Sequence, residues 1–203
     1  MKYHLKQLAQ IKSGYPFRGS IKEVINGSVL VVQIRNIKPE ATGIEWSNLI
    51  CTELTGRKQP DWLMDGDVLF VMRGQNNIAV CLQNTPEQTI SSPHFFHLRV
   101  NNPETLLPEF LAWQINQQQS QRYLQMGSVG TAQTSIRRGV LEAMEIVVPS
   151  IARQKSVLAL AETARQERQL YHCLIANRSQ QLQQVASELL NNPESTQGEN
   201  DND

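Results

Sequence analysis

A chain of 203 residues can bury one hydrophobic core and carry a second, smaller element. Its three cysteines, Cys51, Cys81 and Cys173, lie far apart, which excludes a disulfide framework and a Cys-x-x-Cys zinc site and is typical of a reducing cytosol. The sequence shows no signal-peptide pattern and no run of about 18 apolar residues, so we expect a soluble, cytoplasmic protein.

The net charge is zero, but the charges are unevenly distributed along the chain. All 19 Lys and Arg residues lie at or before Arg178, whereas five of the 19 carboxylates follow it, so residues 1–178 carry a net charge of +5. This excess is compatible with a DNA-facing surface, but it is also common on soluble domains of other kinds.

The first 100 residues carry the patterns of several β-strands. Leu5, Leu8 and Ile11 are spaced by three, which fits either a short helix or the start of a strand. Glycines and a proline between Ser13 and Gly19 then interrupt regular structure. β-Branched and apolar runs predict four strands, at Ser28–Ile34, Asp67–Met72, Ile78–Leu82 and Phe95–Val100. Because loops rather than helices connect them, we expect an α+β fold with a predominantly antiparallel or mixed sheet.

Helical patterns dominate the second half of the chain. Pro108 stands in the first turn of a predicted helix that ends near Gly127, and residues 140–148 are expected to return through the core as a short buried strand. A second helix, from about Ile151 to Leu190, would be about 60 Å long. We therefore predict a globular domain over residues 1–149, a long spacer and dimerisation helix over 150–190 and a disordered acidic tail over 191–203.

The long helix carries the strongest periodic signal in the sequence. Its apolar positions alternate by three and four, at Val157, Ala161, Ala164, Tyr171, Ile175, Leu182, Val185 and Leu189. Such a seam predicts pairing with another helix as a coiled coil. Arg168 and Arg178 occupy two seam positions, where they disfavour an unbroken coiled coil and are expected to fix its register.

The sequence lacks the motifs of common enzyme classes. It contains no Gly-x-x-x-x-Gly-Lys, no Gly-x-Gly-x-x-Gly, no His-Glu-x-x-His and no Gly-x-Ser-x-Gly. His94 and His97 have a spacing that could bind a metal ion, but no third ligand lies nearby in the sequence, so we interpret them as ordinary turn and strand residues. These observations favour binding over catalysis, and we predict no catalytic residue and no metal site.

Several short motifs follow one another in order along residues 3–190. They are Leu8–Phe17 (LAQIKSGYPF), Val32–Ile37 (VQIRNI), Leu63–Phe70 (LMDGDVLF), Pro108–Leu111 (PEFL), Gly130-Thr131 with Ile136 and Leu141, and Ile146–Pro149 (IVVP) followed by Gln154. In this order the motifs resemble the DNA specificity (S) subunits of type I restriction-modification systems. The resemblance implies a globular target recognition domain that reads half of a bipartite DNA site, and long helices that space two such domains and dock modification subunits.

The chain departs from that family in two respects. A typical S subunit resembles two copies of such a unit in tandem, whereas this sequence has one recognition domain and one long helix. We interpret it as a half-subunit or a fragment of a longer protein; a complete half-subunit would form a homodimer through antiparallel helices and read a symmetric, interrupted DNA sequence. The loop over residues 73–77 also lacks a second glycine that members of the family often carry.

Two loops concentrate side chains that can pair with base edges. The base-reading candidates are Arg73, Gln75, Asn76 and Asn77 in one loop, and Gln133, Thr134, Ser135, Arg137 and Arg138 in the other. Isolated cations near turns are the candidates for phosphate contacts, namely Arg18, Arg35, Lys38, Arg57 and Lys58. Amide-rich loops are also common as solvated turns, and the family resemblance is what favours a DNA role for at least one of them.

The leading hypothesis is a non-catalytic, sequence-specific binder of double-stranded DNA that directs a type I restriction-modification methyltransferase, and usually a nuclease, to a bipartite target. The resemblance implies modification and restriction subunits as partners. It also implies that this chain needs no cofactor, because S-adenosylmethionine and ATP would belong to those partners. The alternative is a helix-mediated assembly adaptor without DNA sequence specificity of its own.

Overall fold

The structure is a computed structural model of the chain, and it describes residues 1–38, 40, 42–55, 58–73, 77–128 and 135–191. Over these residues the strands are β1 (Lys2–His4), β2 (Ala9–Ser13), β3 (Val29–Val32), β4 (Ile50–Thr52), β5 (Val68–Val71), β6 (Ala79–Cys81), β7 (Thr89–Ser91), β8 (Phe95–Val100) and β9 (Glu145–Val147). The α-helices are α1 (Leu5–Leu8), α2 (Pro108–Ile115), α3 (Gln118–Met126), α4 (Arg138–Ala143) and α5 (Ile151–Asn191). The chain divides into two compact units, Met1–Leu158 and Ala159–Asp203.

A four-stranded antiparallel sheet in the order β2-β8-β5-β6 lies at the centre of the first unit. A second sheet in the order β4-β3-β7 is mixed, because β3 pairs antiparallel with β4 and parallel with β7. These pairings confirm the α+β class and the predominantly antiparallel or mixed sheet expected from the sequence.

Strand β5 shows why a continuous apolar run forms the middle of the central sheet. Val68 and Phe70 face one hydrophobic core, while Leu69 and Val71 face a second core on the opposite side of the sheet. All four side chains are almost fully buried. Burial of each such side chain contributes about 1.5 to 3 kcal/mol, which favours this run as a central strand over a surface strand.

The N-terminal segment forms both of the structures that the spacing of Leu5, Leu8 and Ile11 allows, a short helix and a strand. Residues from Leu5 form the single turn α1, and the chain then continues directly into β2 at Ala9. A two-stranded sheet precedes this turn, since β1 pairs antiparallel with β9. The backbone N–H of Leu5 donates to the carbonyl of Met144 at 2.9 Å, so the N-terminus is joined to the segment that leads into the long helix.

The strand predicted over Ser28–Ile34 is shorter in the structure, because β3 ends at Val32. Asn36 accounts for this end: its Oδ1 accepts the N–H of Gln33 at 2.8 Å and its Nδ2 donates to the carbonyl of Asn48 at 2.9 Å. These bonds hold residues 34–36 in a 3-10 turn, because they occupy groups that a longer strand would use for its ladder.

Two further predictions between Pro108 and Pro149 are wrong. The single helix expected up to Gly127 is two helices, because the backbone of Gln117 is extended between α2 and α3. The side chain of Asn116, directly before it, bonds to the edge of β6. Residues 140–148 do not form one strand. The first part belongs to helix α4, which buries Leu141, and strand pairing is limited to the three residues of β9.

The long helix predicted from about Ile151 to Leu190 is confirmed as α5, Ile151–Asn191. Its first residues belong to the first unit, where Gln154 is fully buried and Val157 packs against the core. In the second unit the large apolar side chains of α5 are exposed. Residues 192–203 of the predicted tail lie outside the described residues. Among the described helices, none combines the length and apolar composition needed to cross a membrane.

Candidate nucleic-acid interface

One end of the four-stranded sheet gathers loops from several parts of the chain. The pairs Val71↔Phe95, Phe70↔Ala79 and Ser13↔Phe96 show that β2 and β5 finish at the end where β6 and β8 begin. We call this end the loop end; among the described residues it comprises 14–22, 33–35, 73, 77, 92–94 and 135–137. Because the strands are antiparallel, segments distant in sequence lie side by side here.

The two loops predicted to read bases meet at the loop end. Arg73 and Ser135 form an antiparallel bridge, and the N–H of Ile136 donates to the carbonyl of Met72 at 2.9 Å. The N–H of Met72 in turn donates to the carbonyl of His94 at 2.9 Å. Three loops therefore form one continuous surface. Gln75, Asn76, Gln133 and Thr134 lie outside the described residues.

The arginines of these loops differ in their ion pairing. Arg73 and Arg137 are exposed, and neither forms an ion pair with another described residue. Arg138 is exposed as well, but its Nε lies 2.6 Å from a carboxylate oxygen of Glu142. Arg73 and Arg137 are thus the cations of the two loops that an incoming anion or base edge can approach without breaking an ion pair.

Asn77 has an internal role in this conformation. Its side chain is buried, and its Nδ2 donates to the carbonyl of Val71 at 2.9 Å. Its own carbonyl accepts a hydrogen bond from Nε2 of Gln121 at 2.8 Å. These bonds tie the loop after β5 to helix α3, so Asn77 positions the loop, whereas the side chain of Arg73 is exposed to solvent.

Gly14 brings a further segment to the loop end. Its N–H donates to the carbonyl of Phe95 at 3.0 Å, and the next N–H, of Tyr15, donates to Ser91 at 2.8 Å. A Cβ atom at Gly14 would overlap the carbonyl of Ser92, so only glycine permits this close approach. Close packing therefore requires glycine at position 14, within the motif Leu8–Phe17. The chain continues from there along the loop end over residues 15–22.

Phe17 and residues 19–21 line two adjoining clefts of about 510 and 460 Å³. Arg35 and His94 line the first cleft, and Arg18 and Lys22 line the second. The exposed charges of Arg18 and Arg35 thus lie beside the same short segment. The second cleft also contains Glu53, whose carboxylate accepts hydrogen bonds from the N–H and hydroxyl of Ser28 at 3.0 and 2.7 Å.

The remaining phosphate candidates are placed differently. Lys38 is exposed next to a backbone bond between its N–H and the carbonyl of Gly43 at 2.9 Å. Lys58 lies 3.1 Å from the carboxylate of Asp61, which also bonds to Lys12 at 2.5 Å. Burial raises the pKa of Asp61, but the bonds to the two lysines outweigh it and lower that pKa overall. Lys58 therefore shares its charge with an internal partner. Arg57 lies outside the described residues.

Sequence reasoning did not select Lys22 or His94 as DNA contacts. The first 38 residues contain seven Lys and Arg residues, Lys22 among them, against the single carboxylate of Glu23, and this local excess is the available signal for Lys22. His94 was interpreted as an ordinary turn residue, and only the pairing of its carbonyl with Met72 places it between the arginine loops and the clefts.

The second histidine of the pair, His97, is part of a buried polar cluster. Its Nε2 lies 2.8 Å from the carboxylate of Asp67, which also accepts two bonds of 2.7 Å from Arg99. Burial raises the pKa of Asp67, but the bonds from Arg99 and His97 outweigh that effect and bring the pKa to about 2. The cluster is internal and stabilises β5 against β8. Within the part of the chain that the structure describes, no three His, Cys, Asp or Glu residues lie together as a metal site.

Comparison with solved structures finds this fold in type I restriction-modification S subunits. The S subunit from M. genitalium superposes with a TM-score of 0.53 at 13% identity, over 88% of this chain and 42% of that chain. The HsdS subunit from Thermoanaerobacter tengcongensis gives a TM-score of 0.57 at 14% identity, over 82% of this chain and 37% of that chain. A chain from a structure of complex assembly and conformational transition in the type I R-M system gives a TM-score of 0.67 at 14% identity. The superposition covers 94% of this chain and 44% of that chain.

The predicted resemblance is thus confirmed as a likeness of fold. This chain spans about two fifths of the length of each of those chains. No protein-family model matches the sequence, and no curated protein is significantly similar to it.

Proposed function

We propose that this protein is a specificity subunit that binds double-stranded DNA in a sequence-dependent manner and directs a type I restriction-modification complex to a bipartite target. The observation that carries the proposal is the meeting of the two candidate loops at Arg73 and Ser135. It joins Arg73 and Arg137, two exposed cations far apart in sequence, on one surface. The likeness of fold to S subunits supports the same assignment.

The loop end offers the two kinds of contact that such a subunit needs. Arginine side chains in the joined loops can donate paired hydrogen bonds to guanine in the major groove. Arg18, Lys22 and Arg35 beside the clefts can hold phosphates and so set the position of the duplex. In this proposal the chain is non-catalytic and needs no cofactor. The methyltransferase and nuclease subunits that it recruits bind S-adenosylmethionine and ATP.

The second part of the proposal is that two copies of the chain form a homodimer through the part of α5 that belongs to the second unit, from Ala159 onwards. Tyr171, Ile175, Leu182, Val185 and Leu189 of α5 are between 53% and 69% exposed, which is unusual for a row of large apolar side chains on one helix face. Burying this row requires a partner, and a second copy supplies the same row in a self-complementary arrangement.

The sequence of α5 favours an antiparallel pair. Its seam is symmetric about residue 173, so an antiparallel copy places Tyr171 opposite Ile175, and places the small Ala164 and Ala161 opposite the large Leu182 and Val185. In this register Arg168 of one helix lies opposite Arg178 of the other, and the repulsion between these two cations weakens the dimer.

Selection from a randomised duplex pool tests the DNA-binding proposal. The full chain, with and without a methyltransferase subunit from the same genome, is incubated with the pool, and the retained DNA is sequenced. We expect enrichment of a two-part motif. Arg73→Gln should relax one position of that motif, whereas Arg153→Gln, a matched exposed arginine in the first turn of α5, should leave it unchanged. A pool without enrichment would contradict the proposal.

A further inference from the structure

The two edges of the four-stranded sheet differ in how their backbone groups are satisfied. At the β6 edge, Oδ1 of Asn116 accepts the N–H of Ala79 at 2.8 Å, and Nδ2 of Asn116 donates to the carbonyl of Ala79, also at 2.8 Å. The side-chain amide of Asn116 thus occupies the outward backbone groups of Ala79, the first residue of β6. Covering an edge in this way prevents another strand from pairing there.

The opposite edge, formed by β2, is open. The N–H of Gly14 bonds to Phe95 at the start of β8, and bonded pairs alternate along an antiparallel ladder, so the backbone groups of Ile11 and Ser13 point away from the sheet. Within the described ranges, these outward groups have no hydrogen-bond partner. Ser13 is exposed and Ile11 lines an adjacent groove. A row of unpaired outward groups at a sheet edge is the template to which an extended peptide can add as a further strand.

A groove of about 430 Å³ runs beside this open edge. Lys6, Lys12 and Arg138 line it, together with the single carboxylate of Glu142. Glu142 is bonded to Arg138, and Lys12 also bonds to Asp61, but Lys6 is exposed and forms no ion pair with another described residue. The groove therefore combines free main-chain groups with a net positive charge.

We propose that the open edge of β2 binds an extended acidic segment of a partner protein by strand addition. Backbone bonds to Ile11 and Ser13 supply the affinity, and the cations supply the preference for Glu and Asp side chains. A second copy of the same edge is disfavoured as an occupant because it brings Lys6 and Lys12 against their own equivalents. This surface adjoins the loop end, since Ser13 precedes residue 14 and Arg138 follows Arg137, but the open edge and its charges are present whether or not the loop end binds DNA.

The test measures binding of a labelled eight-residue peptide with alternating Glu and Val to the full chain, by fluorescence anisotropy. Ser13→Pro removes an outward N–H at the end of β2 and leaves the ladder to β8 intact, and Ser13→Ala is the matched control that keeps this N–H. We expect about fivefold weaker binding to Ser13→Pro and unchanged binding to Ser13→Ala, the loss that one net hydrogen bond produces. Lys6→Glu should also weaken binding.

A second measurement keeps the proposal falsifiable if Ser13→Pro does not fold. N-methylation of the peptide at alternate residues removes donors from one of its edges, and one of the two methylated peptides should lose binding to the unmodified protein. Amide exchange of Ile11 and Ser13 should slow when the peptide binds. Equal binding of both methylated peptides, or unchanged exchange at these amides, would overturn strand addition. Occupation of the groove by duplex DNA in place of the acidic peptide would overturn the choice of partner.

Discussion

Replacing Asp67 with Asn is expected to destabilise the first unit strongly at neutral pH. The carboxylate is almost fully buried and accepts two bonds of 2.7 Å from Arg99, one of 2.8 Å from the N–H of Met64 and a contact of 2.8 Å from His97. An amide supplies one acceptor instead of two and directs its own N–H groups at these donors. Asp67→Asn therefore removes the charge and leaves at least one buried donor unpaired.

The size of the effect follows from the pKa of Asp67, which lies at about 2 in the folded protein against an ordinary value of 3.8. A difference of nearly two units corresponds to about 2 kcal/mol of stabilisation by the ionised form. Because this pKa is lowered by folding, the contribution is fully present above pH 4 and is lost as the pH falls towards 2. The unpaired donor costs a further 1 kcal/mol or so, which gives a total of about 3 kcal/mol at pH 7.

Urea unfolding followed by tryptophan fluorescence measures this difference at pH 7, 4 and 2.5. The free-energy gap between the unmodified protein and Asp67→Asn should be largest at pH 7 and narrow progressively below pH 4. Glu104→Gln is the matched control, because this exposed carboxylate makes no hydrogen bond or ion pair with another described residue. A gap that is absent at pH 7, or that is independent of pH, would refute the reasoning.

Four further substitutions test the start of α5, the DNA surface and the dimer. Gln154→Leu removes three bonds of 2.9 Å from a fully buried amide at the start of α5, and should lower the free energy of unfolding by about 2 to 4 kcal/mol in urea titrations. Arg73→Gln should lower discrimination at one base pair of the target by about 1 to 3 kcal/mol of binding free energy. Lys22→Gln should weaken binding to all duplexes alike and reduce the slope of log K against log salt concentration by about 1. Binding titrations at several salt concentrations measure both effects. Ile175→Asp should convert the proposed dimer to a monomer by light scattering.

Each of these predictions has a control and a contrary outcome. Lys155 follows Gln154 directly in the sequence and is exposed, so Lys155→Leu should leave the free energy of unfolding unchanged. Equal free energies of unfolding for Gln154→Leu and Lys155→Leu would show that the buried amide is dispensable. A uniform loss across all sequences for Arg73→Gln would reassign Arg73 to phosphate contact. Gln180→Asp, an exposed polar position of α5 outside the seam, should keep the dimer, and light scattering that finds only monomer for the unmodified protein would contradict the pairing.

The strand predictions succeeded where the signal is local. Val68–Val71 and Phe95–Val100 are apolar runs buried on one or both faces, and both were identified to within a residue or two. The three-residue strands β4 and β7 were missed, because segments this short have too little pattern to distinguish them from loops. Their strand character comes from pairing with β3, to which β7 contributes through a parallel register that the local sequence does not encode.

The predicted helix from Pro108 failed at its centre for a related reason. Neither Asn116 nor Gln117 is a strong helix breaker, so local propensity allows the helix to continue. Asn116 keeps its helical bond to the carbonyl of Ala112, while its side chain is bonded to the edge of β6, a strand more than 30 positions earlier in the chain. The break follows at Gln117, whose backbone is extended. A tertiary bond of this kind cannot be recognised from the residues around Asn116 alone.

The sequence by itself determined the long helix and its apolar seam, because helical hydrogen bonds join residues four apart and the pattern is complete within the segment. It also determined which loops are rich in amides and cations. Only the tertiary structure decided that Arg73 meets Ser135 and that Asn77 faces inward while Arg73 faces outward. It also placed Val157, which was predicted for the dimer seam, against the core of the first unit. These outcomes depend on contacts between residues far apart in sequence, whose burial is fixed only when the sheet has formed.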